Sequence, residues 1–174
     1  MSAVAVIVPR IRPAEQRDAA AITHIYNDSV LHSAATFQIA PDNVETRRVW
    51  LKRRKPEHPV FVAELAGAVV AWASLSPYSL REAWQHTVED SIYLDGTVRG
   101  KGLGAAMLGH LLTAARAHGH RVVLARIVAD HAASIGLHAK LGFVERGRLL
   151  GVGLKCGRWH DVVYMQKDLT PPNG

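Results

Sequence analysis

Six residues, Arg99-Gly100-Lys101-Gly102-Leu103-Gly104, constrain this chain more than any other stretch. They follow an apolar strand-like run at Ile92-Tyr93-Leu94 and lead straight into a helical pattern that opens at Ala105. A glycine turn between a strand and a helix asks for a layered α/β architecture. It also lets successive backbone N–H groups converge on an anion at a helix N-terminus. Arg99 and Lys101 add full charges to the partial charge of the helix end. Glu89 stands just before the strand run, so a carboxylate, a strand and an anion cradle follow one another.

The elements on either side agree with a layered fold. Ala105, Leu108, Leu111, Leu112 and Ala115 recur at helical spacing and stop at Gly119, a residue type suited to the left-handed position after a helix. Strands are predicted over residues 4–12, 60–64, 68–75, 86–94, 121–128, 143–154 and 158–166, from β-branched content, alternation and flanking turn residues. Ala66-Gly67 and Cys156-Gly157 read as the turns of two hairpins. Alternation fails around Asp90 and Ser91, which reads as a bulge. Helices are predicted from Ala14 onward through Ala19, Ile22, Ile25, Tyr26 and Val30, from an N-cap at Asp42 or Asn43, and over 132–141, ended by Gly142. Within the second helix, the run Arg47, Arg48, Lys52, Arg53, Arg54, Lys55 reads as a solvated face near the C-terminal end, with a phosphate-binding patch as the alternative. The order is β-α-α-β-β-β-α-β-α-β-β, a mixed α/β layer.

The 174 residues, 48% of them apolar, suffice for one domain burying roughly two thirds of its unfolded surface. A single domain over 1–174 is expected, with a core at about 11–167 and a frayed tail at 170–174. No run approaches the ~20 apolar residues of a membrane span, and residues 3–8 are too short for a secretory core, so a cytoplasmic location is expected. The lone Cys156 cannot form an internal disulfide, and no spacing here resembles a metal site. A formal charge of +6 favours anionic partners. Few aromatics and no groove-reading motif argue against nucleic acid.

Taken alone, the glycine turn leaves several readings open. A Walker A loop fails, because Asp95 stands where glycine is needed and Gly102 where Ser or Thr is needed. Gly100, Gly102 and Ala105 fit G-x-G-x-x-A, but no acidic residue falls ~20 positions later. A plain connector remains possible on spacing alone.

The segment 99–104 nonetheless resembles the R-x-x-G-x-G/A pyrophosphate motif of the GNAT family of N-acetyltransferases, and the resemblance covers about residues 11–167. It narrows to the phosphinothricin and methionine sulfoximine N-acetyltransferase branch through three further stretches, at 86–93, 137–143 and 155–161. The resemblance implies an acyl-CoA N-acyltransferase fold with a central, mostly antiparallel mixed sheet flanked by helices. It implies acetyl-CoA as cofactor, with pyrophosphate at Arg99, Gly100, Lys101, Gly102, Leu103, Gly104 and Ala105 and pantetheine along Ile92, Tyr93 and Leu94. It also implies a homodimer, with late-strand residues such as Trp159 able to supply the contact.

Moving an acetyl group from a thioester to an amine needs the amine neutral when it attacks, a donor for the oxygen that gains charge, and an acid for the departing thiolate. Glu89 is the candidate base. An unperturbed glutamate, at about 4.3, is a weak base towards an ammonium, so burial or a relaying water is required. His131, Ser134 and His138 fall at i, i+3 and i+7 and share one helix face. By resemblance His138 is the acid near the thiolate. His131 stands where the wider family often has asparagine, and one imidazole hydrogen bond can replace the amide's.

A small amino acid acceptor presents a carboxylate, which asks for Arg or Lys in a partly apolar pocket. Arg81 and Lys155 are the candidate cations, with Arg158 a further one. Phe37 and Tyr78 are candidate walls, joined by Trp84. Cys156 lies in a turn without a histidine at motif spacing, so direct transfer in a ternary complex is expected rather than a covalent route. A peptide N-acetyltransferase and a non-catalytic acyl-CoA sensor are the rival readings.

Overall fold

The computed structural model describes residues 9–170. Its elements are β1 (Arg10–Pro13), α1 (Ala19–His32), α2 (Val44–Lys52), β2 (Val60–Leu65), β3 (Ala68–Pro77), β4 (Thr87–Leu94), α3 (Leu103–Ala117), β5 (Val122–Val128), α4 (Ala132–Lys140), β6 (Val144–Lys155) and β7 (Arg158–Asp168). This is the order predicted from pattern. Residues 4–8 of the first predicted strand and 171–174 of the expected frayed tail lie outside the described residues. The first helix starts later than Ala14, because a 3-10 turn at Gln16–Asp18 comes before it.

The seven strands form one sheet in the order β1-β2-β3-β4-β5-β7-β6. Only β4 and β5 run parallel, joined through α3 as a crossover connection requires. The sheet separates two cores. On one face α1 and α2 bury Ile22, Ile25 and Leu51 against Val62 and Trp72. On the other, α3 buries Met107, Leu108 and Leu111 against Leu75, Val88 and Val123, and Ile135 and Leu137 of α4 pack beside them. Neighbouring residues on a strand point to opposite faces. Trp72 therefore enters one core and Ala71 and Ala73 the other.

Local chemistry sets the element ends. The Asn43 carboxamide oxygen accepts from Thr46 N at 2.8 Å and starts α2. At the end of α3, His120 N reaches Ala115 O at 2.9 Å and Gly119 N reaches Arg116 O at 3.0 Å, the paired bonds of a Schellman close. Ala66 and Cys156 each hold positive φ before a positive-φ glycine, the geometry of a two-residue type I′ hairpin turn.

Two expectations are corrected. β4 pairs with β3 in unbroken register from Val88↔Pro77 to Leu94↔Ala71, so Asp90 and Ser91 form no bulge against it. The basic run on α2 is not a uniformly solvated face. Arg47 is buried, stacked against Tyr26, Trp50 and Trp72 and paired with Asp42 at 2.5 Å. Arg54 packs over Trp50, and burial pulls its pKa down to about 10.

Candidate active site

Pairing between β4 and β5 covers only Thr87↔Val122, Val88↔Val123 and Glu89↔Leu124, after which the strands part. From Asp90 to Leu94 the β5-facing edge of β4 has no strand partner, while β3 pairs its other edge throughout. An unpaired edge offers N–H and C=O groups to any extended chain laid along it. A cavity of about 770 Å³ fills the opening, lined by 89–94 on one side and 125–128 on the other. It extends to Arg99, Gly100, Gly102, Gly104 and Ala105 of the glycine turn and to His131, Ser134, Leu137 and His138 of α4.

The glycine turn has the geometry of an anion cradle. Gly100 and Gly102 hold φ of 74° and 83°, which glycine adopts without strain, and a β-carbon at either would stand in open space. Gly102 caps α3, and Ala106 N is the first amide to bond back to it, which leaves the N–H groups of 103–105 for a ligand. Gly104 has a different task. A β-carbon there would lie 3.2 Å from the Leu137 side chain, so this glycine lets α3 approach α4. Lys101 Nζ donates to Thr97 O at 2.9 Å, and the Arg99 guanidinium folds back on Leu94 O, with Asp28 3.6 Å away.

Glu89 and Asp90 are neighbours in sequence and point to opposite faces of the sheet, so they enter different environments. Glu89 sits at the last paired position before the strands part. Its Oε1 accepts from Arg126 Nε at 2.6 Å, with 17% of the glutamate side chain exposed. Asp90 turns toward α4 and is buried, its Oδ2 2.9 Å from His138 Nε2. His138 Nδ1 lies 2.7 Å from the Ser134 carbonyl, so both ring nitrogens face acceptors. Burial opposes the charged form of His138, but the bond to Asp90 and its charge outweigh it and raise the pKa. The contacts of His138 therefore favour its protonated form. His131 goes the other way, its pKa lowered first by desolvation and then by the charges of Arg99 and His138. Burial holds the Tyr93 phenol well above its ordinary value, and its ring stacks on Trp72 at 4.8 Å.

Of the residues predicted from sequence, Glu89, His138, Ile92, Tyr93, Leu94, Arg99, Gly100, Gly102, Gly104, Ala105, His131, Ser134 and Phe37 meet at this cavity. Lys101 and Leu103 belong to the same turn without lining it, and Leu103 is buried against the core. Tyr78, Arg81 and Lys155 are not brought to the wall. Tyr78 packs on Trp84 at 4.9 Å, and Arg81 precedes the 3-10 turn at Glu82–Trp84.

Lys155 is buried, and desolvation lowers its pKa. Its Nζ donates to Thr36 O at 2.6 Å and Gln38 O at 2.8 Å, bonds that occupy it in holding the α1–α2 loop. The Phe37 ring from the same loop rests over Gly153, where a β-carbon would collide with it. The loop so fastened supplies Ser33, Ala34, Ala35, Thr36 and Phe37 to the cavity. Pattern reading reached this loop only through Phe37, and it missed Arg126 and the Asp90 partnership. An isolated charge in the apolar run 122–128 and the broken alternation at Asp90 were the available signals.

Residues 21–143 match the Acetyltransferase (GNAT) family. The chain is 40% identical over 160 residues to an L-methionine sulfoximine/L-methionine sulfone acetyltransferase of Salmonella typhimurium, covering 91% of this chain and 94% of that one. A phosphinothricin acetyltransferase of Sinorhizobium meliloti, solved with acetyl-CoA, superimposes with a TM-score of 0.89 at 37% identity, covering 95% of this chain and 93% of the other. A structure described as a ribosomal-protein-alanine N-acetyltransferase of Brucella melitensis gives 0.88 at 41% identity, over 91% of this chain and 99% of the other.

Proposed function

The chain belongs to the acetyltransferase (GNAT) family, and from that premise we propose that the gap between β4 and β5 transfers acetyl from acetyl-CoA to the α-amino group of a small amino acid or analogue. L-Methionine sulfoximine and L-phosphinothricin represent the acceptor class, which relatives of this chain are named for. The observation that carries the reading is one continuous cavity joining the glycine turn, the free edge of β4 and Glu89. The edge from Glu89 to Leu94 spans roughly 17 Å, enough to seat an extended arm.

When bound, acetyl-CoA supplies an acetyl group activated as a thioester. The residues present fit it. Gly100, Gly102 and the first-turn amides of α3 would hold its pyrophosphate, and the free edge of β4 from Asp90 onward would pair with its extended amide chain, with Leu94 O already taken by Arg99. Glu89 receives the proton of the acceptor ammonium at its carboxylate. His138 is the acid for the departing sulfur: one of its ring N–H groups leaves its acceptor, Asp90 or the Ser134 carbonyl, and gives its proton to the thiolate, and the ring is left as neutral imidazole bonded to the other. Phe37, fixed by Lys155 and Gly153, walls the acceptor side.

A second copy of the chain belongs to this reading. β6 is an edge strand exposed along most of its length, and Leu150 and Trp159 are 74% and 66% exposed, which supports a homodimer across that face. Light scattering during gel filtration tests it. No helix among the described residues is long and apolar enough to cross a membrane, and the lone, exposed Cys156 suits a reducing cytoplasm.

The name of the Brucella melitensis relative favours a second reading, acetylation of a protein N-terminus. CoA release measured across amino acids, methionine sulfoximine, methionine sulfone, phosphinothricin and N-terminal peptides separates the two. Turnover confined to free amino acids and analogues is expected. A strong peptide preference would establish the second reading, and binding of acetyl-CoA with no CoA release from any amine would point to a sensor.

A further inference from the structure

We propose that Arg126 receives the α-carboxylate of the acceptor, so that Glu89 and Arg126 together recognise an amino acid zwitterion. The inference rests on the amino acid acceptor proposed above. Along β5, Ala125 and Ile127 are buried in the α3-side core, which turns Arg126 to the opposite face, where Glu89 also points. Nε of Arg126 is taken by Glu89 at 2.6 Å, and the guanidinium has no other carboxylate partner among the described residues. Its side chain is 53% exposed and lines the cavity beside the Tyr164 hydroxyl, and a fork of five donors has more than these two partners use, so donors remain for a ligand.

The other cations of the region are committed or distant. Arg99 folds back on Leu94 O beside Asp28, and Lys155 holds loop carbonyls. Lys140 lines the cavity from the last turn of α4, a helix on the α3 side of the sheet, whereas Glu89 points to the other face. A free amino acid carries ammonium and carboxylate on the same α-carbon. Laid against the Glu89–Arg126 pair with its charges reversed, it gives each protein charge a second partner and leaves the pocket neutral. An ammonium alone would compete with Arg126 for Glu89 and leave the guanidinium facing a neutral group. A peptide or amide, which has lost the α-carboxylate, is in that position.

The test compares L-methionine sulfone with its α-carboxamide in wild type, Arg126→Gln and Arg126→Lys. Wild type should favour the acid in kcat/KM by about ten- to a hundredfold, the range of a charge-assisted hydrogen bond. Arg126→Gln should bring that ratio near one, by raising KM for the acid, and Arg126→Lys should retain part of it. The two acceptors differ in the acidity of their ammonium groups, so the ratio is taken from the pH-independent limits of kcat/KM and each variant is read against the wild-type ratio. Acetyl-CoA affinity and melting temperature close to wild type establish that each variant is folded. An unchanged ratio in Arg126→Gln, or a wild type that prefers the carboxamide, overturns the role of Arg126 and leaves the acetyltransferase reading standing. Failure of wild type to acetylate any free amino acid overturns both.

Discussion

Replacing Asp90 tests whether the buried pair with His138 organises the α4 side of the site. Its carboxylate and the imidazole are 2% and 5% exposed at 2.9 Å. Asp90→Ala leaves a buried imidazole without its partner, and removing one member of such a pair costs about 3–5 kcal/mol. For a chain of this size 1 kcal/mol moves the melting temperature by about 2–4 °C, so a fall of roughly 6–20 °C is expected. Asp90→Asn keeps the shape and can donate to a neutral His138, which still donates from Nδ1 to Ser134 O. Its cost should be about 1–2 kcal/mol.

The pH dependence has a definite sign. His138 has a folded pKa above its unfolded value near 6.5, so the stability it adds is fully present below about pH 6.5 and is lost as pH rises through the folded value. Thermal melts at pH 6 and pH 9 should therefore show the gap between wild type and Asp90→Asn shrinking at the higher pH. NMR of the His138 ring should show it titrating at lower pH in Asp90→Asn. Equal melting temperatures for wild type and Asp90→Ala at pH 6, or an unmoved His138 titration, would refute the pair's role.

The other perturbations separate the parts of the site. Gly102→Val forces a branched residue into φ of 83°, so the turn must change conformation and no longer aims the open amides of α3. It should cost about 1–2 kcal/mol of stability and abolish acetyl-CoA binding by calorimetry; wild-type affinity would misplace the cradle. Lys155→Met strands the carbonyls of Thr36 and Gln38, at about 1–3 kcal/mol for each left unpaired. Steady-state kinetics should show KM for the acceptor rising while acetyl-CoA affinity holds, and the reverse pattern would count against the loop clamp. Cys156→Ser should leave turnover nearly intact, because Cys156 sits exposed in a hairpin turn and does not line the cavity. Near-total loss would argue for a covalent route.

Element order was legible because the helices and strands here are punctuated by residues with one physical use: Asn43 as a cap, Gly119 and Gly142 after helices, Ala66-Gly67 and Cys156-Gly157 in hairpins. The glycine turn of the candidate site was legible for the same reason, since it is built from consecutive backbone. The contacts around Glu89 were not. Lys155 and Arg81 met the chemical requirement for a carboxylate partner, but a one-dimensional pattern does not say that Lys155 is buried under the α1–α2 loop. Arg126 and Glu89 are 37 residues apart and meet only because β4 and β5 run parallel. Asp90 broke the alternation of its strand because a histidine from α4 waits opposite it, a contact 48 residues away.

Glu89→Gln tests the proposed chemistry most directly, through its pH–rate profile with a small amino acid acceptor and saturating acetyl-CoA. Glutamine keeps the size of the side chain and cannot take a proton. The rate should fall most steeply at low pH, where the amine is most protonated, while acetyl-CoA affinity stays close to wild type. A profile with the same shape and height as wild type would show that the amine loses its proton elsewhere and that Glu89 is not the base.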